Sequence, residues 1–321
     1  MATLNNKIDF ALVFTVRNAN PNGDPLGGNR PRTTYDGHGE VSDVCLKRKI
    51  RNRWMDEGYP VFVQSDDRRV DAFRSLRDRA DGCPALKACL DAMGEQKKAK
   101  GKKNGEALLS KDDYARIACE QWLDVRAFGQ VFAFKADKKS DKKADTDDAA
   151  SVSDNVSESD AVSVGIRGPV SIQSAFSLDI VPITNLQITK SVNLKTDSVD
   201  PDKRGSDTIG SKYRVDFGVY VTYGSINVQA AQKTGFSDDD ALALKEALRT
   251  LFRNDATAAR PDGSMEVVKL VWWEHNCPSG QFSAAKVHRS VKITTDENGS
   301  VQVSVDESAI PGLHYSVIDG E

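Results

Sequence analysis

The chain has 321 residues, of which 39% are apolar, so it is long and apolar enough to bury one large core or two modest ones. Its formal charge is −3, and residues 135–163 hold five Lys against eight Asp plus Glu, which leaves the remainder neutral. This composition excludes a chain that is disordered throughout. It does not exclude nucleic-acid binding, because a local basic patch attracts phosphates whatever the total charge.

Neither a membrane span nor a disulfide framework is indicated. No stretch approaches the roughly 18–20 uninterrupted apolar residues that a span needs, and residues 1–10 lack a basic segment followed by an apolar one. We therefore expect a cytoplasmic protein without a membrane partner. The cysteines are odd in number and form no CxxC pair, which favours reduced, structural thiols. They are Cys45, Cys83, Cys89, Cys119 and Cys277.

The first predicted elements are a strand, a loop and a helix. Residues 8–16 are mostly apolar and β-branched or aromatic, which predicts a buried strand. A loop dense in Gly, Pro, Asn and Asp follows over residues 18–40. Ser42 or Asp43 then caps a helix that runs to about residue 57. Strand, loop and helix should meet at one edge.

The predicted helix separates its apolar and charged side chains. At 100° per residue, one face holds the apolar residues, the basic side chains Lys47 and Arg51 share one flank, and Arg48 points away from the core. The apolar face consists of Leu46, Ile50 and Trp54. The helix therefore has one side that packs and another that is strongly basic.

The rest of the chain predicts a mixed fold with long insertions. Further helices are predicted within 66–95, at 111–123 and over 237–253. Further β structure is predicted at 164–183, in a strand pair around Gly224-Ser225, at 265–273 and in a hairpin around 296–299. Residues 135–163 have too few apolar groups to order, and 184–212 predict a protruding hairpin or arm. The order suits an α+β, ferredoxin-like layer.

The loop over 18–40 fails the tests for a metal site. Asn20, Asn22 and Asp24 alternate as calcium ligands do, but Pro25 and Pro31 stand where that pattern requires Gly and Glu. A second alternating set has no supporting residues beside it: Asp36, His38 and Glu40. Nucleotide-hydrolysis and triad motifs are absent from the sequence. We predict no metal, no cofactor and no catalytic residue.

Phosphate contact is better supported by the same region. A Gly/Asn loop can turn several backbone N–H groups toward an anion, and Lys47, Arg48 and Arg51 supply charge that does not depend on base identity. The alternative is that the basic helix face is only a solvated surface. Composition alone does not decide between the two.

Five blocks, in chain order, resemble a known family: "VRNANPNGDP", "SDVCLKRKIRN", "DVRAFGQVF", "IRGPVSIQSAFS" and "QITKSVN". They are similar to the backbone subunit of Cascade, the type I CRISPR surveillance complex, in the subtype I-C branch of the RAMP superfamily. That resemblance implies a modified RNA-recognition palm with finger insertions and a protruding β thumb. It also implies head-to-tail polymerisation along CRISPR RNA, with other Cascade subunits, so that the guide can pair with target DNA.

The resemblance implies domains and site residues in this numbering. The palm would comprise 1–65, 164–183 and 213–321, the fingers 66–163 and the thumb 184–212. The implied RNA-binding residues are Arg17, Asn18, Asn20, Asn22, Lys47, Arg48, Arg51, Arg126, Arg167, Lys190, Lys195 and Lys212. The implied wedges between bases are Leu186, Ile188 or Leu194. For the arginines the alternative is a surface ion pair, and for the wedges it is packing within the hairpin.

Three functions are compatible with these residues. The first is a non-catalytic RNA scaffold, which reads phosphates and shape rather than base edges. The second is a metal-dependent ribonuclease, because backbone subunits of related type III complexes cut RNA with a loop aspartate, and Asp24 or Asp36 stands in a comparable loop. The third is a plain protein-interaction module. Tyr35, Phe128 and Trp272-Trp273 are expected in the core rather than on a stacking surface.

Overall fold

The computed structural model describes residues 2–98, 109–134, 162–189, 209–296 and 300–321. The helices are α1 (Asp43–Asp56), α2 (Leu76–Asp81), α3 (Pro84–Lys98), α4 (Lys111–Gln121), α5 (Leu123–Phe128), α6 (Val228–Thr234), α7 (Asp238–Arg249) and α8 (Ala284–His288). The strands are β1 (Ile8–Ala19), β2 (Gly23–Asp24), β3 (Arg30–Pro31), β4 (His38–Val41), β5 (Gly129–Phe134), β6 (Val162–Arg167), β7 (Val170–Ile172), β8 (Ala175–Ile180), β9 (Ile183–Thr189), β10 (Ile209–Ile226), β11 (Met265–Glu274), β12 (Val291–Thr295), β13 (Val301–Val305) and β14 (His314–Asp319).

One large antiparallel sheet organises the described part of the chain. Its strands follow the order β14-β11-β1-β10-β8-β4, and β7 and β9 also pair with β10. All of these pairings are antiparallel. α1 lies in the chain between β1 and β8, and α7 between β10 and β11. The α+β prediction is confirmed, and the palm, fingers and thumb stay predictions.

The main core lies between this sheet and the helices α1 and α7. Alternate residues of β1 point to the same side, so Phe10, Leu12 and Phe14 all face the helices. They pack in one buried cluster with the apolar face of α1, whose members are Leu46, Ile50 and Trp54. The predicted helix face is therefore confirmed. Each such buried side chain stabilises the fold by about 1.5–3 kcal/mol.

The opposite face of the sheet carries a smaller core. Ala11, Val271 and Trp273 pack there with Val287 of α8 and Leu313. Neighbouring strand residues point to opposite faces, and Trp272 accordingly belongs to the main core while Trp273 belongs to this one. The expectation that both tryptophans are core residues is confirmed. Phe128 packs partly buried against the main core, as expected.

A buried polar cluster lies at the edge of this second core. The carboxylate of Asp9 accepts hydrogen bonds from Lys7 (2.5 Å) and from Nε2 of His275 (2.8 Å). Burial would raise the pKa of Asp9, but the hydrogen bonds from His275 and Lys7 outweigh burial and hold that pKa below its ordinary value. Burial lowers the pKa of His288, against the opposing pull of Asp9. His288 is thus held toward its neutral form.

A third core lies between the helices of the insertion and the hairpin β5–β6. Phe62, Trp122 and Phe132 form an aromatic group, with ring centroids 4.6 and 5.1 Å from that of Phe62. The predicted helix over 111–123 is interrupted at Trp122, which separates α4 from α5. All the cysteines are free thiols, as expected, and Cys83, Cys89 and Cys119 are buried.

Some predictions from the sequence are wrong. Residues 213–226 belong to one continuous strand, β10, rather than to a strand pair around Gly224-Ser225. Gly224 is required there by close packing, because a Cβ atom at this position would lie 2.2 Å from Cζ of Phe10. Tyr35, expected in the core, is fully exposed.

Two predictions concern residues that are wholly or partly outside the described ranges. The predicted disorder over 135–163 lies outside them, except for 162–163, which begin β6. The predicted turn at 296–299 also lies outside them apart from residue 296, although β12 and β13 pair on either side of it.

Candidate nucleic-acid interface

The loop after β1 folds back over the first turn of α1. Ser42 is the N-cap of that helix, and its hydroxyl accepts a hydrogen bond from the backbone N–H of Cys45 (3.4 Å). The side-chain oxygen of Asn22 accepts from both the N–H (3.0 Å) and the hydroxyl (2.9 Å) of Ser42. Asn20 is buried and donates to the carbonyl of Asn29 (2.6 Å). These two asparagines therefore fix the shape of the loop.

A cleft of about 540 Å³ lies between this loop, α1 and the loop that follows α7. We refer to it as the α1 cleft. Its charged lining residues are Arg32, Arg48, Lys49, Arg68 and Arg260 against Asp67 and Asp255. The lining thus carries an excess of three positive charges, in a chain that is nearly neutral overall. Arg32 and Arg68 also contact Asp24 and Asp56, which lie outside the lining, but their side chains stay 38% and 28% exposed. A concave surface with an excess of positive charge concentrates the field and attracts anions.

The floor of the α1 cleft is a buried ion pair. Lys49 is only 3% exposed and contacts Asp255, whose carboxylate also accepts from Nε of Arg260 at 3.2 Å. Burial lowers the pKa of Lys49, Asp255 opposes that shift, and Arg260 adds to it. Lys49 is therefore a structural member of the cleft, whereas Arg260 lies nearer the solvent.

Arg48 lies at the wall of the α1 cleft. Its Nη1 donates to the carbonyl of Val63 at 2.7 Å, and the residue is half-buried. Burial and then the nearby Arg51 lower the pKa of Arg48, but a guanidinium stays charged at neutral pH. With only one of its donors engaged by Val63 in the described part of the chain, Arg48 keeps donors for an anion.

The other flank of α1 faces Phe128 and α5. The guanidinium of Arg51 lies 5.1 Å from the ring centroid of Phe128, and Nζ of Lys47 lies 6.0 Å from it. Arg51 is 12% exposed and donates through Nε to the buried carboxylate of Asp124 at 2.8 Å. Lys47 pairs with Asp43 at 2.9 Å. The predicted basic patch is thus divided, and only Arg48 of the three lines the cleft.

The remaining predicted site residues are dispersed. Arg126 binds Asp240 through two hydrogen bonds of 2.8 and 2.7 Å and also donates to the carbonyl of Cys119. This is an ion pair, as in the alternative for a lone arginine, but it is largely buried rather than on the surface. Arg167 is exposed at the end of β6. Arg17 and Asn18 are exposed at the end of β1, where Arg17 points away from α1.

The hairpin predicted over 184–212 is described at its base. β9 and the first half of β10 pair from Ile183↔Val215 to Thr189↔Ile209. Nζ of Lys212 donates to the carbonyl of Ala258 at 2.7 Å, next to the loop that lines the α1 cleft. Leu186 and Ile188 are exposed on this hairpin, and their role as wedges stays a prediction. Lys190, Leu194 and Lys195 lie outside the described residues.

The candidate catalytic aspartates are engaged within their own loop. Asp24 accepts from the N–H of Leu26 (3.2 Å) and lies 3.5 Å from Nη2 of Arg32. Asp36 accepts from the hydroxyl of Thr34 (2.5 Å), and this hydrogen bond holds the pKa of Asp36 below its ordinary value. Across the described ranges, no three metal-ligating side chains are grouped as a metal would need.

The sequence did not reveal most of the α1 cleft. Lys49, Arg68 and Arg260 come from α1, the insertion and the loop after α7, and no local pattern distinguishes them from other surface cations. Arg32 stood in the Gly-rich loop but in no matched block. One signal in the sequence could have indicated Arg32 and Lys49. Arg32 lies in the same loop as Asn22 and Lys49 lies next to Arg48 on the same helix, and this loop and helix were predicted to meet.

The α+β fold thus carries a cationic, concave surface beside its first helix, and a surface of this kind attracts anions. A sequence profile of the family described as CRISPR-associated protein Cas7 matches residues 6–311. Because that match spans almost the whole chain, the chain belongs to the Cas7 family, the RAMP-type backbone subunits of Cascade.

Individual proteins and solved structures are also similar to this chain. The chain is 25% identical over 259 residues to the CRISPR-associated protein Cas7 of Haloferax volcanii, and the match covers 80% of this chain and 67% of that protein. A chain of a CRISPR RNA-guided surveillance complex, pre-nicking, is 15% identical with a TM-score of 0.43 and covers 83% and 78% of the two chains. A chain of a second CRISPR RNA-guided surveillance complex is 16% identical with a TM-score of 0.39, and the match covers 83% of this chain and 68% of that chain. Among the helices described, none has the length and apolar content to cross a bilayer.

Proposed function

We propose that this chain is a non-catalytic scaffold that binds CRISPR RNA in a cytoplasmic type I-C Cascade complex. Copies of the chain would polymerise head to tail along the RNA, beside the other Cascade subunits, and present the guide for pairing with target DNA. The α1 cleft is the observation that carries this proposal. It offers an excess of three positive charges in a Cas7-family chain whose total charge is slightly negative.

The chemistry of the α1 cleft fits phosphates better than base edges. Arg32, Arg48, Arg68 and Arg260 provide guanidinium groups, which bind phosphate oxygens in pairs. Contacts of this kind depend on backbone charge and not on sequence, as a protein that coats many different guides requires. RNA would bind there with similar affinity whatever its base sequence.

The residues predicted from the sequence take different parts in this proposal. Arg48 and Lys212 would contact phosphates directly, since both lie at or beside the α1 cleft. Asn20, Asn22, Arg51 and Arg126 would act through the shape of the fold, because their side chains are engaged within the protein. The other proposed RNA contacts are Arg17, Asn18, Lys47, Arg167, Lys190 and Lys195.

The absence of catalysis is part of the proposal. A loop aspartate that cuts RNA needs a metal ion and free carboxylate oxygens. The Oδ1 atoms of Asp24 and Asp36 already have partners within the loop: Arg32 and the N–H of Leu26 for the first, and the hydroxyl of Thr34 for the second. This arrangement favours a structural role for both carboxylates.

Removing charge from the α1 cleft tests the proposal. The double variant Arg32→Gln/Arg48→Gln should weaken binding of a repeat–spacer transcript, measured by fluorescence anisotropy over a salt series. For single-stranded RNA each lost phosphate contact reduces the slope of log K against log salt by about 0.7. We expect a reduction of roughly 1.4 for two contacts.

The matched control removes the same charge elsewhere. Arg116→Gln/Lys233→Gln neutralises two exposed cations on α4 and α6, outside the α1 cleft, and should leave the slope unchanged. Equal losses in the two double variants would contradict the proposal, because binding would then follow net charge alone. So would a wild-type chain that retains no RNA.

A further inference from the structure

A second recess lies on the face of the sheet opposite α1. It has a volume of about 270 Å³ and is bounded by β1, β10, β11 and the start of β13. The residues that determine its chemistry are Thr15, Arg17, Phe217, Ser264 and Glu266. We refer to it as the Arg17 recess. Thr15 and Arg17 alternate along β1 with Phe14 and Val16 of the main core, so they point away from α1.

The Arg17 recess contains an arginine in contact with an aromatic ring. Arg17 and Phe217 are directly paired across β1 and β10, and the guanidinium carbon lies over the ring, 4.7 Å from its centroid. Arg17 is exposed, so its guanidinium contacts the ring of Phe217 and is also accessible to the solvent. Guanidinium planes and aromatic rings are the side chains on which unpaired bases stack.

The edges of the Arg17 recess carry polar groups without partners. The hydroxyl of Ser264 is buried and has no hydrogen-bond partner within the part of the chain that is described. Over the same ranges, neither Arg17 nor Glu266 has an ion-pair partner. Buried polar groups are normally satisfied, so an orphan hydroxyl beside an open stacking plane points to a ligand with donors or acceptors at its edge.

These features distinguish between kinds of ligand. The charges of Arg17 and Glu266 cancel, so the Arg17 recess has no net charge to attract a phosphate group. A nucleobase is planar and uncharged, and its edge carries groups that a hydroxyl and a carboxylate can bind. The Arg17 recess therefore differs from the α1 cleft, which is lined by five cations and is suited to phosphates.

We infer that the Arg17 recess binds one unstacked base of single-stranded RNA. The base would stack on the open face of the Arg17 guanidinium, and its edge would contact Ser264 and Glu266. The inference rests on the proposed function for RNA as its ligand. It adds a contact to a base, on the other face of the sheet, to a binding mode that otherwise depends on phosphates.

An oligonucleotide without bases separates the two sites. Affinities of the full chain are measured for oligoadenylate and for an abasic ribose-phosphate oligomer of the same length. The affinity for oligoadenylate divided by the affinity for the abasic oligomer measures how much the bases contribute to binding. Arg17→Lys keeps the charge but removes the flat guanidinium, and should lower this ratio by about fivefold to tenfold, within the range for stacking one base. Binding of the abasic oligomer should not change.

Two further variants make the result specific. Phe217→Leu removes the ring beneath the guanidinium and should lower the same ratio. Arg30→Lys makes the same exchange at another Arg–aromatic pair, 5.7 Å over Tyr213, and should leave the ratio unchanged. Thermal unfolding of each variant verifies that the fold is kept.

The two proposals fail in different ways. If the ratio is unchanged in both Arg17→Lys and Phe217→Leu, the proposed base-binding site is wrong, and the proposed function of the α1 cleft is not affected. Binding of the abasic oligomer that is insensitive to Arg32→Gln/Arg48→Gln overturns the proposed function instead.

Discussion

Asp124→Asn should destabilise the protein strongly, because Asp124 is a fully buried carboxylate at the junction of two cores. It accepts hydrogen bonds from Nε of Arg51 (2.8 Å) and from the backbone N–H groups of Phe62 (2.6 Å) and Val63 (3.0 Å). An asparagine of the same shape lacks the charge and turns an N–H₂ group toward these donors. The guanidinium of Arg51, 12% exposed, then loses its counter-ion.

The expected cost follows from that burial. Removing one partner of a buried ion pair typically costs about 3–5 kcal/mol, against about 0.2–1 kcal/mol for an exposed pair. We expect the free energy of unfolding, measured by urea denaturation with circular dichroism, to fall by roughly 3 kcal/mol or more. Asp91→Asn, at an exposed site on α3, is the control and should change it by less than about 0.5 kcal/mol.

A double-mutant cycle tests the reasoning directly. If Arg51 and Asp124 stabilise each other, Asp124→Asn should cost much less in a background of Arg51→Met, with a coupling of at least about 1 kcal/mol. A loss below about 1 kcal/mol for Asp124→Asn, typical of an exposed pair, would refute the structural role of Arg51. Arg51 would then be available to RNA, as the sequence alone suggested.

Two other predictions concern the backbone and the pH. Gly129→Ala should lower the free energy of unfolding, measured by urea titration, by about 2 kcal/mol or more. The reason is that φ is +80° at Gly129 and a Cβ atom there would lie 2.2 Å from the carbonyl oxygen of Ile166. Gly165→Ala is the control and should leave the free energy of unfolding unchanged, because no atom lies within 4 Å of a Cβ placed there. Stability should decline as the pH falls below about 6.5, because burial lowers the pKa of His288 and the unfolded chain binds its proton first. His288→Gln should flatten this decline between pH 7 and 5, whereas an unaltered slope would assign it to other groups.

Local patterns in the sequence predicted the elements that build the main core. The apolar run of β1, the period of Leu46, Ile50 and Trp54, and the Ser42 cap are each decided within about one helical turn or one strand. The same holds for α7 and β11, whose ends all lie within four residues of their predicted bounds. Gly224 misled the prediction, because a glycine serves a turn and a close approach equally well.

What the sequence by itself determined was therefore the α+β succession and the presence of a basic first helix beside a Gly/Asn loop. Only the tertiary structure decided which cationic side chains of the chain remain free for a ligand. Arg51 pairs with Asp124, which is 73 residues away in the sequence. Arg126 pairs with Asp240, 114 residues away, and Lys49 pairs with Asp255, 206 residues away. Partners so distant in the chain meet only once the sheet and its helices have packed, and no local pattern records them.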